Sequence, residues 1–499
     1  MSKKNTLNPV SQELTAFLSE KDFVYGPEPE LYGGIAGFYT YGPLGKRLKN
    51  NLENAIRTVF NQHGFFEVEY PIIAPAAVWK ASGHLDSFND PVIICSKCAS
   101  SFRADKLLEE KGEKNAEHYS DQKLIETFKK KEVNCPNCKG RFNLEIKRHS
   151  LMMKTTIGQD TEAYNRPETA TTTYLPFKHY QNFFRDKLPF SVFQIGKAFR
   201  NEISPRQHVL RSREFSQAES QLFVSKEMKT NWPSFKPVEN DSLLLWTAEM
   251  QEKNKKPETM SLKKALQKKA FQNQAFAWNV WLSHQIFLAM GIPNQKMRLR
   301  QHKKDERAFY AEDAWDLEIE LNSFDWTECC GIHDRTDYDL KKHAEFSKQK
   351  LVAKDEKGKE FVPHVLEIAF GIDRPFFALC DLFYAKRKED QKRILLQFPP
   401  KMAPIQVAVF PLMAKDGLDK KAREIYQTLE KKFLVYYDES GSIGRRYSRM
   451  DAVGTPYCLT IDYDSLEKND VTIRERDSMK QTRILISELS SILQKYSEK

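Results

Sequence analysis

The spacing of apolar and polar positions changes several times along the chain, and each change predicts an element. Leu48, Leu52, Ile56, Val59 and Phe60 recur at helical spacing over residues 46–63, and FFEVEYPII then alternates as a strand ending near Pro71. From Val192 to Glu219 two alternating runs flank ISPRQHVLR, whose proline and polar residues suit a loop, so this stretch predicts strand, loop, strand. Period-two geometry places Arg200 and Glu202 on one face of the first strand, and Arg211, Arg213, Phe215, Gln217 and Glu219 on one face of the second. Helical spacing returns in FAWNVWLSHQIFLAMGI, and the later part of MRLRQHKKDERAFYAEDAWDLEIEL alternates as a strand. PHVLEIAFGIDRPFFALCDLFYAK reads as a strand, a glycine and an amphipathic helix. After Ala403, strands such as IQVAVFPL, LVYYDES and GTPYCLTID alternate with LDKKAREIYQTLEKKF and a closing helix, the pattern of an α/β domain with a mixed sheet.

A chain of 499 residues has room for two or three domains. Its formal charge of +10 permits a nucleic-acid partner without requiring one. The start, MSKKNTLNPV, lacks the apolar core of a signal peptide, and no apolar run approaches the ~18 residues of a membrane span, so a cytoplasmic protein with no membrane partner is expected. Among eight cysteines, Cys95, Cys98, Cys135 and Cys138 form two C-x-x-C pairs, a strong signal for structural Zn²⁺ in a closed four-thiolate site. The charged spacer between the pairs must fold back as a helical excursion. Adjacent Cys329 and Cys330 read as small packing residues. Residues 225–270 read as a polar insertion, its Lys-rich face either solvated or RNA-facing.

The hairpin face of Val192–Glu219 fits a nucleoside triphosphate, with guanidinium forks for phosphates, a flat ring for the base and a carboxylate for an exocyclic amine. A solvated hairpin whose charges pair with one another accounts for the same residues. FRNEISPR followed by LRSREF also resembles motif 2 of class II aminoacyl-tRNA synthetases, in particular their glycyl branch. ELYGGIAGFYTYGP, VWKASGH, RPETA, RLRQH with ERAFYAEDAWD, and WTECCGIHDRTDYDL resemble elements of the same branch, and residues 363–386 resemble motif 3. The resemblance covers nearly the whole chain and is to the dimeric, archaeal- and eukaryote-like type.

It implies an α+β fold: an antiparallel sheet flanked by helices, a zinc-bearing insertion and a C-terminal α/β anticodon-binding domain. The implied division is catalytic over 1–90 with motif 1, a zinc insertion over 91–148, catalytic with motif 2 over 149–224, the insertion 225–270, catalytic with motif 3 over 271–400, and anticodon-binding over 401–499. The implied reaction is ligation of glycine to tRNA(Gly) with ATP and Mg²⁺, in a homodimer joined through motif 1. By match, Arg200 grips the α-phosphate, Arg374 the γ-phosphate, Phe215 stacks on adenine, Glu202 accepts from its amine and Glu328 places Mg²⁺. Asn201, Leu210, Arg211, Arg213, Cys329 and Gly371 complete the ATP set. Glu168, Glu219 and Glu367 take the glycine ammonium, Arg300 its carboxylate, and Ala369 lines the pocket. His84 reads as structural, and Arg474, Arg476 and Arg483 as RNA-facing or solvated. The family commonly has Gln-Gly where Thr171 and Thr172 stand, and Pro-Ser where Ile368 and Ala369 stand.

Overall fold

The computed structural model describes residues 9–113, 116–203, 205, 208–308 and 310–497. The start that bears on a leader lies partly outside the described residues, and among those described no helix is long and apolar enough to cross a membrane.

Among the described residues one sheet is built from nine strands. They are β1 (Phe65–Glu67), β2 (Phe190–Phe199), β3 (Glu214–Val224), β4 (Ser242–Trp246), β5 (Glu258–Ser261), β6 (Met297–Gln301), β7 (Asp313–Glu320), β8 (Trp326–Thr336) and β9 (His364–Gly371). Their order across the sheet is β5-β4-β6-β7-β8-β9-β3-β2-β1. Neighbours run antiparallel except β1 with β2 and β4 with β6.

Period two decides what each face carries. In β9, Leu366, Ile368 and Phe370 join the hydrophobic core, as do Ala218 and Leu222 of β3 and Leu317 and Ile319 of β7. That leaves Glu367, Ala369 and Gly371, with Gln217, Glu219 and Gln221, on the opposite face. The core face is covered by α1 (Pro43–Gln62), α2 (Gln274–Ala289) and α3 (Asp373–Phe383). Leu48, Leu52, Ile56 and Phe60 of α1 give an amphipathic stripe, whereas α2 buries nearly its whole circumference, from Ala275 to Phe287. The helix expected over 46–63 thus starts at Pro43, a residue whose fixed φ suits a first turn. Gly45 is needed there, because a Cβ would lie 1.8 Å from the Phe23 carbonyl oxygen.

The stretch 225–270 does not stand off the sheet. It supplies β4 and β5, and Trp232, Phe235, Leu243, Leu245, Met260 and Leu262 join the main core. Its many lysines mask an alternation that packs one face.

Residues 89–150 form a small unit in which strands Asn89–Cys95, Ser101–Arg103 and Phe142–Ser150 pair, with Ala104–Glu109 and Asp121–Lys130 as the helical excursion. Ile93, Phe102, Leu108, Leu124, Phe128 and Phe142 give it its own core.

The C-terminal sheet comprises β10 (Val407–Pro411), β11 (Val435–Tyr437), β12 (Tyr457–Ile461), β13 (Asp470–Glu475) and β14 (Gln481–Leu485), in the order β11-β10-β12-β13-β14. It is mixed, as expected, with a further helix, Ile443–Val453, that the polar run GRRYSRM concealed. Phe410, Met450 and Cys458 belong to the main core, so this unit is packed against the rest of the chain. Arg474 and Arg476, expected to meet RNA or solvent, are instead each 3% exposed. Arg474 binds Asp451, which also takes Arg387, and Arg476 donates to the carbonyls of Gly454 and Phe398. Arg483 is held by Asp462 and Asp470. Desolvated guanidinium groups need these acceptors, so they fix the domain in place.

Candidate active site

Cross-strand register lays a continuous row across the open face of the sheet: Gln194 (β2), Glu219 (β3), Ala369 (β9), Gly331 (β8), Asp316 (β7) and Arg300 (β6). Residues opposite one another share a face, so Gln194 and Glu219 at one end and Asp316 and Arg300 at the other flank the small residues Ala369 and Gly331. The next row aligns Gln221, Glu367 and His333.

Three carboxylates meet on the β3 and β9 side of this row. Glu219, 2% exposed, accepts from Thr169 Oγ1 at 2.6 Å and Gln217 Nε2 at 2.5 Å. Glu367, also 2% exposed, accepts from Gln221 Nε2 at 2.9 Å, Tyr174 Oη at 3.2 Å and Arg335 at 3.2 Å, with His333 Nδ1 at 3.2 Å. Glu168 accepts from Thr171 Oγ1 at 3.1 Å and faces His84 Nε2 at 3.5 Å. Burial pushes all three carboxyls up, and their neighbours separate them. In Glu219 burial, reinforced by Glu367 and Glu168, raises the carboxyl well above the usual range. In Glu367 burial is outweighed by Arg335 and His333, which hold it down at about 2. In Glu168 it is outweighed by His84, Arg335 and Arg200, and the carboxyl is lowered.

The cation of this pocket is Arg335. Its Nε and Nη2 bind Asp339 at 2.7 and 2.9 Å, its Nη1 binds Glu367, and its guanidinium lies 4.4 Å from the Tyr310 ring centre. Three of its five N–H groups are engaged by these carboxylates. Arg300 is not brought here. It binds Glu306 at 2.5 Å and Asp316 at 3.2 Å, while His302 takes Asp316 at 2.8 Å. Four strand spacings separate it in register from Glu219, roughly 19 Å. Arg300, expected to meet a substrate carboxylate, thus lies away from the three glutamates: the RLRQH strand is toward the far edge of the sheet, and the guanidinium among the glutamates comes from GIHDRTDYDL. Period two along β8, placing Gly331 and His333 on the open face, could have singled out Arg335.

The other end of the face carries the residues expected around ATP. Phe215 pairs across from Ala198, and the Arg200 guanidinium lies 5.5 Å from its ring centre and 5.3 Å from that of Phe88, with Nε donating to the Pro167 carbonyl at 3.0 Å. β2 ends at Phe199, so Arg200 and Glu202 lie just past the strand rather than on its face, linked by a tight turn in which the Glu202 N–H donates to the Arg200 carbonyl. Arg211 and Arg213 likewise precede β3. Arg213 runs back to the carbonyls of Glu202 and Ala36, and Arg211 stays 3.9 Å from Glu202. The Asn201 carbonyl accepts from His149 at 2.8 Å if that ring nitrogen is protonated. At the start of α3, Arg374 Nη1 binds the Glu328 carbonyl at 2.6 Å and its carboxylate at 3.3 Å. Asp373 beside it is buried, taking Tyr41, Lys49 and the Ser216 N–H, which pins α3 to β3 just after Gly371. A cavity of ≈ 150 Å³ lined by Leu210, Phe324, Thr327, Glu328 and Arg374 opens here. The Cys329 side chain is packed into the core, its thiol pushed up to about 12 by burial, so it is not open to a ligand.

Three clusters of metal-ligating type occur among the described residues, the third being Asp105, Glu109 and Glu117, and the first two have different fates. The sulfurs of Cys95, Cys98, Cys135 and Cys138 lie within 4.8 Å of one another, with Cys95–Cys138 at 3.5 Å and Cys98–Cys135 at 3.7 Å. A tetrahedral Zn²⁺ with 2.3 Å bonds needs sulfurs about 3.8 Å apart, so the four thiolates fit it. The Ala99 and Lys139 N–H groups close matching turns onto the Cys95 and Cys135 carbonyls. Glu312, Asp334 and His364 also converge, but Lys229 Nζ lies 2.8 Å from Glu312 and 2.7 Å from Asp334 and supplies the cation itself.

Comparisons with known proteins agree with this geometry. Residues 154–382 match the tRNA synthetase class II core domain (G, H, P, S and T), and residues 406–496 match an anticodon binding domain. The chain is 39% identical to a glycine–tRNA ligase of Thermococcus sibiricus, over 92% of this chain and 94% of that one. It is 38% identical to that of Thermococcus gammatolerans over 99% of each chain, and 39% identical to that of Pyrococcus horikoshii over 95% and 96%. Among solved structures, a prolyl-tRNA synthetase of Giardia lamblia with prolyl-adenylate superposes with TM-score 0.60 at 15% identity, covering 100% of this chain and 81% of the other, which shows the shared fold. The chain belongs to the glycine–tRNA ligase family of class II aminoacyl-tRNA synthetases.

Proposed function

We propose that the chain activates glycine with ATP and transfers it to the 3′ end of tRNA(Gly). The observation that carries this is the convergence of Glu168, Glu219, Glu367 and Arg335 at one end of a sheet face whose other end presents Arg200, Phe215 and Arg374. The carboxylates receive the glycine ammonium, and Arg335 receives its carboxylate. A carboxylate oxygen then attacks the α-phosphorus of ATP, the bond to the bridging oxygen breaks, and pyrophosphate leaves. In the second step a terminal ribose hydroxyl of tRNA attacks the adenylate carbonyl, and AMP leaves. No covalent enzyme intermediate is needed, so the protein supplies positioning and charge.

Arg200 serves the α-phosphate, Arg374 the γ-phosphate, Phe215 stacks on adenine and Glu202 accepts from its amine. Glu328, 55% exposed and paired in register with Glu318, offers the one or two carboxylates that Mg²⁺ takes beside phosphates, and the ion would neutralise the leaving pyrophosphate. A pocket walled by three carboxylates excludes larger side chains by clash, and glycine has no smaller competitor, so editing is not required. The four cysteines would hold one structural Zn²⁺, and metal analysis of reduced protein is expected to find about one per chain. The sheet edge at β1, where Phe66, Ile72, Ile73 and Phe183 are exposed apolar residues, supports a homodimer, and residues 406–496 support tRNA binding by the C-terminal domain, in the cytoplasm. Charging of tRNA(Gly) with labelled glycine tests the whole. Release of AMP together with glycyl-tRNA is expected, and failure to charge any tRNA with glycine would refute the reading.

A further inference from the structure

His84 ends the segment VWKASGH, and nothing in the activity described so far uses it. Trp79, fully buried, anchors the segment by donating Nε1–H to the Ala74 carbonyl at 3.3 Å. Gly83 turns the chain at φ +81°, in the left-handed region that a side chain resists, although a Cβ there would meet nothing within 4 Å. The turn delivers the His84 ring between Trp79 and Phe88, edge-on to each at centroid distances of 5.6 and 5.4 Å. Those contacts fix the ring plane, with Nδ1 2.8 Å from Ser82 Oγ and Nε2 3.5 Å from Glu168 Oε1.

The proton positions follow from the partners. A neutral ring protonated only at Nδ1 would aim a lone pair at a carboxylate, which is repulsive. Ser82 Oγ has the Trp79 carbonyl at 3.3 Å as a second acceptor; with Ser82 donating to Nδ1, or donating to Trp79 with both ring nitrogens protonated, Nε2 carries its N–H on the Glu168 side, 3.5 Å from the carboxylate. Thr171 Oγ1 donates to the same Glu168 oxygen at 3.1 Å. Arg335 and Arg200 are the further cations acting on Glu168, Glu219 is the neighbouring acid, and His343 faces the His84 side.

We infer that His84 is a positioning residue for glycine recognition: held by Ser82, it fixes the Glu168 carboxylate, together with Thr171, so that its second oxygen meets the substrate ammonium. The inference rests on the glycine reading above. It makes VWKASGH part of the amino-acid pocket and assigns Thr171 a share in the same task.

Glycine-dependent exchange of pyrophosphate into ATP, with full-length protein and each substrate varied in turn, tests it. His84→Ala is expected to raise the KM for glycine about tenfold while leaving the KM for ATP within about twofold. His84→Gln, which keeps an N–H donor near the Nε2 position, is expected to recover most of the loss. An unchanged glycine KM in His84→Ala would overturn the inference, as would parallel rises in both KM values or a His84→Gln no better than alanine. Should His84→Ala fail to melt cooperatively, Ser82→Ala decides: a glycine KM raised about threefold supports the role, and no change refutes it. A wild-type protein that exchanges with no added glycine effect would sink the functional reading itself, a result distinct from normal wild-type exchange with an unaffected His84 variant.

Discussion

The two ends of the sheet face house their charges in different ways. At the amino-acid end Glu219 and Glu367 are each 2% exposed, and every charge there is met by a fixed partner. At the nucleotide end the Glu328 side chain is 55% exposed and that of Arg374 34%, and they face each other at 3.3 Å. An exposed pair of that kind is worth about 0–1 kcal/mol, so phosphates can take Arg374 from Glu328 at little cost. Removing one member of a buried cluster costs about 3–5 kcal/mol, because the remaining charges are left unpaired without water. The amino-acid end is therefore preorganised and coupled to stability, whereas the nucleotide end trades internal contacts for ligand contacts.

The largest expected effect follows at Arg335. Arg335→Ala leaves Glu367 and Asp339 buried without their cation, so thermal melting should show the loss of about 3–5 kcal/mol, and glycine activation should fall by more than about 10³. A variant with wild-type stability and activity would erase the contrast between the two ends. Arg200→Ala and Arg374→Ala come next. Each should lower adenylate formation by about 10² or more while shifting the melting temperature little, since Arg374 pairs with the exposed Glu328 and the Arg200 hydrogen bond goes to a backbone carbonyl. Melting that falls as far as in Arg335→Ala would show the nucleotide end to be equally built in.

Glu219 separates function from stability. Burial, with Glu367 and Glu168 beside it, raises its carboxyl well above the usual range. A carboxyl whose folded pKa is raised costs stability as pH rises past its unfolded value of about 4.3, and the whole cost is present above the folded value. Glu219→Gln should therefore be more stable than wild type at neutral pH, by about 1 kcal/mol, with the difference vanishing below about pH 4, yet bind glycine more weakly. Melting curves at pH 4 and 7.5 check the sign. Glu367 behaves oppositely: held down at about 2, it contributes stability above about pH 4.3 that is lost as pH falls toward 2. The smallest effect belongs to Ala369→Ser. Ala369 stands in register between Glu219 and Gly331, and an added hydroxyl supplies one hydrogen bond of about 0.5–1.5 kcal/mol, so the glycine KM should change less than about tenfold.

Local patterns carried much of this into the sequence. The alternation around REFSQAE yields the faces of β3, so Phe215, Gln217 and Glu219 share a side as read, and the C-x-x-C spacing yields the sulfur cluster. Registers between distant strands are not written locally, which is why the sequence points to Arg300 and passes over Arg335: both are arginines in alternating runs, and only the strand order puts β8 near β3 and β6 beyond it. Arg200 and Glu202 show the same limit at shorter range, since the strand stops at Phe199, three residues short of Glu202. Burial of Arg474 and Arg476 was likewise hidden, because their acceptors, Asp451 and the Gly454 and Phe398 carbonyls, come from elsewhere in the chain.

The most direct test is isotopic exchange between pyrophosphate and ATP in the presence of glycine, alanine or serine, with no tRNA added. The account predicts exchange driven by glycine, little or none with alanine or serine, and loss of the glycine signal in Arg335→Ala but not in Arg300→Ala beyond about tenfold. Exchange that survives Arg335→Ala and disappears in Arg300→Ala would contradict it.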